Sequence, residues 1–234
     1  MNSKEAKPIG RRVVIAMGVL GGAGIVIGNK IQNVVGSTLN SIAPNNRLVS
    51  LLPGADSFQI YTVSGFPSES TTQYKLSVTG LVDTPLTLSY QDLLDMEPTN
   101  LDKDFQCVTG WRVPNVKWKG VALNAILNRA GIKSGASAVL FQSFDGLYTE
   151  SLTLSQANRN DVIVAYEMLG GAISEEHGGP VRLYVAPMYG YKSIKWLSGI
   201  EVSDKVVPGY WENLGYDVDA WIGSSNGRTD TPVD

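Results

Sequence analysis

The stretch "DFQCVTGWRVPNVKWKG", residues 104–120, holds the only cysteine of the chain, Cys107, among aromatic, glycine and proline residues. A thiol in that setting can be an inert buried hydrophobe, a nucleophile or a metal ligand. Nucleophilic catalysis would need a base, and the only histidine is His177; the surrounding "EEHGGPVR" offers no evident Asn or Asp to orient its imidazole. A zinc or iron-sulfur centre takes several Cys or His ligands from one chain, and this chain has one of each. Three readings stay open: packing, a weakly supported Cys/His hydrolase, and a single thiolate on a metal whose other ligands arrive with a cofactor. The segment reads as a loop between a helix ending near Met96 and one starting near Val121, and loops of such composition carry sites more often than they fill cores.

The elements that would position this thiol are short. With 25 Gly and 11 Pro in 234 residues, the chain punctuates itself too often for a helical bundle. "YKLSVTG" alternates as a half-buried strand, and "VDTPLTL" continues it past a turn. "SYQDLLDM" reads as a short helix capped by Ser89, and "ALNAILNRAG" as a second closed by Gly131. "SAVLFQSF", "VIVAYEM", "PVRLYVA" and "SIKWLSGIEVSD" read as strands or buried segments. Strands outnumber helices without regular βαβ alternation, which predicts a mixed, strand-rich α+β fold in one domain.

Charge is unevenly spread. The net −3 includes +3 from Lys4, Glu5, Lys7, Arg11 and Arg12, so −6 remains on the rest, and nucleic acid is a poor partner for such a surface. Residues 1–12 form a basic tail, and residues 13–35 a mildly apolar run that reads as a signal or anchor helix. Arg11 and Arg12 ahead of this glycine-rich stretch resemble a twin-arginine export signal, which predicts an extracytoplasmic domain, exported or held at the membrane. The glycines of "GVLGGAGIVIG" fit a dinucleotide fingerprint poorly, so no nicotinamide cofactor follows. Residues 36–47 read as a linker, 48–223 as the domain, and 224–234 as a disordered tail.

Three separated motifs occur together. "VTGLVDTPLTLSYQDLLDMEPTNLDKDFQCVTGWRVPNVKWKGVALNAILNRAG" is followed by "HGGPVRLYVAPMYGYKSIKWLSGIEV" and then by "GYWENLGY". In this order and spacing they resemble the molybdopterin-binding domain of the sulfite oxidase family, over nearly all of Tyr61 to Trp221. The resemblance implies an α+β fold around molybdenum held by one pyranopterin dithiolene, terminal oxygens and one cysteine thiolate, here Cys107. Soft sulfur ligands suit a metal that changes oxidation state by two electrons.

The resemblance also implies cofactor contacts at Ser193, Ile194 and Lys195, with Lys192 beside them, and at His177 and Arg182 in "HGGPVR". Ser143 matches a hydroxyl position that contacts the pterin in relatives, and Tyr61 and Thr62 an upstream contact. Arg182 stands out on residue chemistry alone, because a guanidinium on an apolar strand wants an anionic partner. Trp111, Tyr148 and Tyr191 could wall a substrate funnel, and Asp104 and Asp145 are acid/base candidates by sequence proximity alone.

Departures from the family narrow the function. Sulfite-oxidising relatives gather several arginines around the metal and carry an immunoglobulin-type dimerisation domain; here only Arg112 lies near Cys107 in sequence. The layout resembles the catalytic subunit of bacterial periplasmic methionine sulfoxide reductase, whose electrons come from a membrane haem partner, although His177 stands where that relative has asparagine. The expectation is a molybdenum oxidoreductase that moves an oxygen atom and two electrons on a small substrate, with a haem protein or cytochrome as electron partner. A cofactor-free binding module that kept the fold is the alternative.

Overall fold

The computed structural model describes residues 58–225, Ser64 excepted. The basic tail, the apolar run, the linker, the start of the domain expected at residue 48 and most of the C-terminal tail lie outside the described residues. Among the described residues, no helix is long and apolar enough to cross a membrane.

Two five-stranded sheets carry the domain. The first has the order β2-β1-β10-β5-β6, with β1 (Lys75–Gly80), β2 (Leu86–Ser89), β5 (Ala138–Ser143), β6 (Thr149–Thr153) and β10 (Leu197–Ser203). Its neighbours are antiparallel except β1 and β10, which run parallel with Val78 opposite Ile200. The second runs β3-β4-β7-β8, from β3 (Thr99–Gln106), β4 (Arg112–Ala122), β7 (Val162–Met168) and β8 (Gly171–Ala172), and β9 (Arg182–Val185) pairs antiparallel with β7.

The second sheet is covered on both faces, which explains why "VIVAYEM" reads as an unbroken apolar run. Side chains alternate along a strand, so Val162, Val164 and Tyr166 join the large core that also contains Leu76, Val78, Ile200 and Val202 of the first sheet. Ile163, Ala165 and Met168 enter a second, aromatic core with Phe105, Trp111, Trp118 and Tyr184. On β9 the same alternation puts Leu183 and Val185 in the first core and Tyr184 in the second. Arg182, sharing the parity of Tyr184, stands over the Phe105 and Trp118 rings.

The helices follow their sequence signals. Ser89 caps α1 (Tyr90–Leu94) in a full capping box: its Oγ accepts from Asp92 N at 3.1 Å, and Asp92 Oδ2 accepts from Ser89 N at 2.7 Å. Helix α2 (Leu123–Ala130) buries Leu123, Ile126, Leu127 and Ala130 on one face and closes at Gly131, φ +72°. A single turn, α3 (Leu154–Ala157), carries a second capping box at Thr153.

One expectation needs correction. The segment between α1 and α2 is a β-hairpin, not a loop, and only residues 107–111 turn. Pro114 hid it, because a proline cannot donate to a sheet ladder. The ladder slips between Lys103 and Phe105, so Pro114 and Asn115 form a bulge opposite Asp104, and β4 meets β7 only from Trp118 onward. Pro114 therefore sits where no second ladder is needed. The strand expected over "SIKWLSGIEVSD" is likewise shorter: it begins at Leu197, after Trp196 at φ +53°.

Replacing Ser89 with alanine removes one half of the α1 capping box and should lower unfolding stability by about 1 kcal/mol. Urea denaturation followed by circular dichroism measures it.

Candidate functional site

A cavity of about 260 Å³ opens where seven segments meet. The β3–β4 turn contributes Cys107, Val108, Thr109 and Trp111; a 3₁₀ turn at Glu175–His177 contributes His177; β9 contributes Arg182. The segment from the 3₁₀ turn Gly190–Lys192 to β10 contributes Tyr191, Ser193, Ile194, Lys195 and Trp196. Tyr148 at the head of β6, Trp211 and Tyr216 from the C-terminal segment, and Phe58 to Val63 from upstream complete the lining.

The hairpin turn fixes the sulfur. Cys107 N donates to Trp111 O at 2.9 Å and Gly110 N to Cys107 O at 3.0 Å. Thr109 Oγ1 donates to Cys107 Sγ at 3.2 Å. Burial pushes the thiol above its ordinary range, against the donors from Thr109, Val108 and Trp111. A raised thiol is the opposite of what a cysteine nucleophile requires. Among the described residues no group of three or more His, Cys, Asp or Glu could hold a metal. A metal at Cys107 would need further ligands that these residues do not supply.

The far side of the cavity is cationic. Arg182 is 2% exposed, and its guanidinium donates to His177 O at 2.7 Å and Ser193 O at 2.8 Å. It meets no carboxylate among the described residues. The guanidinium lies 5.5 Å from the Phe105 ring and 5.6 Å from Trp118. Burial lowers its pKa to about 10, so it stays charged at neutral pH. Lys195 Nζ donates to Glu176 O at 2.6 Å and Tyr61 O at 3.0 Å. Burial first, and then Arg182, bring its pKa down to about 7. The same two causes, in the same order, lower His177, which leaves its imidazole neutral at pH 7.

Ser193 Oγ accepts from Val185 N at 3.0 Å, which leaves its O–H to donate. Trp111 Nε1 is buried, and the acceptor it meets among the described residues is the Cys107 sulfur. Among the described residues, no carboxylate lines the cavity. Two cations and a free hydroxyl donor therefore face a space that holds no carboxylate of the described residues, with a soft sulfur at one side. That donor set fits a ligand with an anionic phosphate end and a metal end.

Of the residues singled out in the sequence, Tyr61, Thr62, Cys107, His177, Arg182, Ser193, Ile194 and Lys195 share this cavity, as do Trp111, Tyr148 and Tyr191. Five others are not brought to it. Lys192 is fully buried with its ammonium on Glu150 and Glu212, because it points into the protein from the turn that presents Tyr191 and Ser193 to the cavity. Ser143 spends its hydroxyl within the β5–β6 turn, on Asp145 and the main chain of Tyr148. Asp145 also accepts from Leu147 N in that turn. Asp104 pairs with Arg112 across the hairpin and accepts from Asn115 N at 2.8 Å. Sequence reasoning gave no role to Thr109, Trp196, Trp211 or Tyr216. The aromatic cluster in "GYWENLGY" was the available signal for the last two.

Residues 63–211 match the family model described as oxidoreductase molybdopterin binding domain. An uncharacterized oxidoreductase of Bacillus subtilis, YuiH, is 37% identical over 65% of this chain and 78% of its own length. The sulfite oxidase of Arabidopsis thaliana is 31% identical over 61% of this chain, and a protein-methionine-sulfoxide reductase catalytic subunit of Campylobacter jejuni 29% over 62%. The chain spans 45% and 54% of those two relatives. The crystal structure of the sulfane dehydrogenase SoxCD from Paracoccus pantotrophus superimposes with a TM-score of 0.59 at 23% identity, over 65% of this chain and 46% of that one, a likeness of fold.

Lys195 gives the site a pH signature in cofactor-free protein. Its folded pKa, about 7, lies below the unfolded value near 10.5. The stability contributed by the neutral amine is thus complete above the unfolded pKa and lost as pH falls toward 7. An anion prefers the ammonium, so sulfate, whose own charge is constant in this range, should bind more tightly as pH falls through 7. Calorimetric titration checks this, and Lys195→Met should flatten the dependence.

Proposed function

The chain belongs to the oxidoreductase molybdopterin-binding domain family, of the sulfite oxidase type, and is an oxidoreductase whose cofactor is molybdenum–molybdopterin; from that premise we propose that it transfers an oxygen atom with two electrons on a small neutral substrate of the S-oxide class. The observation that carries the reading is the cavity itself, where the only thiol of the chain faces a buried cationic set and no carboxylate. When bound, the cofactor supplies the two-electron oxygen-transfer chemistry, and the protein supplies binding and positioning.

In this reading the Cys107 thiolate holds the metal, and the Thr109 hydroxyl donates to its sulfur at 3.2 Å, fixing the direction of the Cβ–Sγ bond. Arg182, Lys195, the Ser193 hydroxyl and the neutral His177 ring hold the phosphate-bearing end. Ile194 supplies an apolar contact, and Tyr61 and Thr62 close the site from upstream. Trp111, Tyr148, Tyr191, Trp211 and Tyr216 form the substrate wall and exclude water. Tyr148 Oη already donates to Tyr191 O at 2.7 Å, and its pKa is raised well above the ordinary range by burial, so it faces a substrate as a neutral hydroxyl able to accept.

The choice of a neutral substrate rests on charge. A sulfite dianion needs fixed cations of its own. Arg112 is engaged by Asp104 across the hairpin, and in this reading Arg182 and Lys195 are taken by the phosphate-bearing end. The aromatic wall offers apolar contact and hydroxyl groups instead. Residues 1–12 as a basic tail, 13–35 as a signal or anchor and 36–47 as a tether would place the domain, 48–223, on the extracytoplasmic side. There a membrane haem protein or cytochrome would exchange electrons with it.

Expression in a host that makes the cofactor, followed by molybdenum quantification, tests the ligand. Wild type should carry molybdenum, while Cys107→Ser should lose it and at least about a hundredfold of turnover. With a reduced viologen as donor, neutral sulfoxides should be reduced, and sulfite with an artificial acceptor should not be oxidised. Molybdenum-free wild type, or efficient sulfite turnover, would sink the reading.

A further inference from the structure

Behind the aromatic wall, three charged side chains are buried that the cavity does not use. The Lys192 and Glu150 side chains are 0% exposed and that of Glu212 is 1% exposed. Lys192 Nζ donates to Glu150 Oε1 and, at 2.7 Å, to Glu212 Oε1. The second oxygen of each carboxyl has no partner among the described residues. Two ionised carboxylates on one ammonium would leave a net negative charge and two bare oxygens out of water, a combination that burial penalises heavily. One proton shared by the carboxyls cancels the charge, as in other buried carboxyl pairs. Burial raises Glu150 well above the usual carboxylate range, and Glu212 adds to this against the pull of Lys192.

Each member of the triad adjoins the wall. Glu150 follows Tyr148 by two positions on β6, Lys192 follows Tyr191, and Glu212 follows Trp211. The same three segments are joined by Tyr148 Oη donating to Tyr191 O at 2.7 Å, by Tyr210 N donating to Thr149 O at 3.0 Å and by the stacked Tyr148 and Tyr210 rings, 5.7 Å apart. Tyr216 N donates to Trp211 O at 3.1 Å, so Tyr216 moves with Trp211.

We propose that Lys192 is the positioning residue of the substrate wall: clamped between Glu150 and Glu212, which share one proton, it fastens the Trp211–Tyr216 segment to β6 and to the Gly190–Lys192 turn. The functional part rests on reading this cavity as the substrate pocket; the proton and the clamp do not. Because the triad is neutral, it holds the wall without adding a charge that would compete with Arg182 and Lys195 for the cofactor.

The test uses the full chain, loaded with cofactor. At neutral pH, infrared spectra of wild type should show the carbonyl band of a protonated carboxylic acid, and that band should vanish in Glu150→Gln and in Glu212→Gln. Each single variant should unfold near the wild-type midpoint. The double variant, which strips Lys192 of its counter-charge, should lose far more than the two singles together. No band in wild type, or singles as damaging as the double, overturns the shared proton.

For the clamp, Lys192→Met should keep its molybdenum yet raise KM for a neutral sulfoxide about tenfold or more, with kcat changed less than about threefold. If that variant fails to fold, Gly209→Ala substitutes for it: the added methyl would lie 2.5 Å from Thr149 O and 2.8 Å from Glu212 Oε2, displacing the same segment without altering charge. Near-ultraviolet circular dichroism of the wall aromatics should change in both. Folded variants with wild-type KM and wild-type dichroism overturn the clamp. Should wild type reduce no sulfoxide, the dichroism still decides, so failure of the functional reading is separable.

Discussion

Arg182 is a full positive charge placed almost beyond the reach of water, and the oxygens that meet it are main-chain carbonyls. Carbonyl dipoles and the faces of Phe105 and Trp118 lower the cost of that burial without cancelling the charge. The consequence is felt at Lys195 and His177, whose protonation Arg182 disfavours. A site built this way is incomplete in electrostatic terms until an anion enters it. The same hydrogen bonds tie the His177 turn and the Ser193 segment to one strand, so the demand for an anion and the geometry that satisfies it have a single origin.

The sulfur is delivered from a different support. Cys107 stands on the tip of the β3–β4 hairpin, whose strands are packed into the aromatic core, whereas the cations come from β9 and from the loop ahead of β10. Phe105 joins the two: it lies under the Arg182 guanidinium and so close to Gly190 that a Cβ there would stand 2.4 Å from its ring. A soft ligand on a rigid hairpin and a cationic cradle on separate turns can then be held at a fixed span by core packing, with no covalent or ionic bridge between them. The Trp111 indole, stacked 5.6 Å from Phe105, belongs to that same packed layer and sets its N–H toward the Cys107 sulfur.

What the sequence made legible followed from chemistry that does not depend on distant partners. A lone cysteine in a turn, an arginine on an apolar strand and a serine ahead of a helix each carry their reason locally, and Cys107, Arg182 and Ser89 stand where those reasons put them. Lys192 and Lys195 show the limit. Both lie in one short motif and look alike, yet one turn of chain sends Lys192 to two carboxylates and Lys195 to the cavity; Glu150 and Glu212, far away in sequence, decide which is which. Ser143 is kept from the cavity for a similar reason, because Asp145 and the Tyr148 main chain engage its hydroxyl inside its own turn. The hairpin itself was masked by Pro114, which local propensity reads as a break and the ladder absorbs as a bulge.

The same alternation that builds the hairpin also bears on the substrate. Trp111 and Arg112 are neighbours in sequence at the start of β4, and successive strand residues point to opposite faces. Trp111 turns into the cavity, so Arg112 must turn away from it, onto Asp104 of the paired strand. An arginine five residues from Cys107 in sequence is therefore turned away from the cavity by the pleat. To recruit it, the hairpin would have to shift register by one residue, which would also carry Trp111 out of the aromatic core and reverse every side chain of β4. The lack of a charge on this side of the cavity is thus enforced by packing of the strand behind it, and adding one requires new side chains on the C-terminal segment or the 3₁₀ turns.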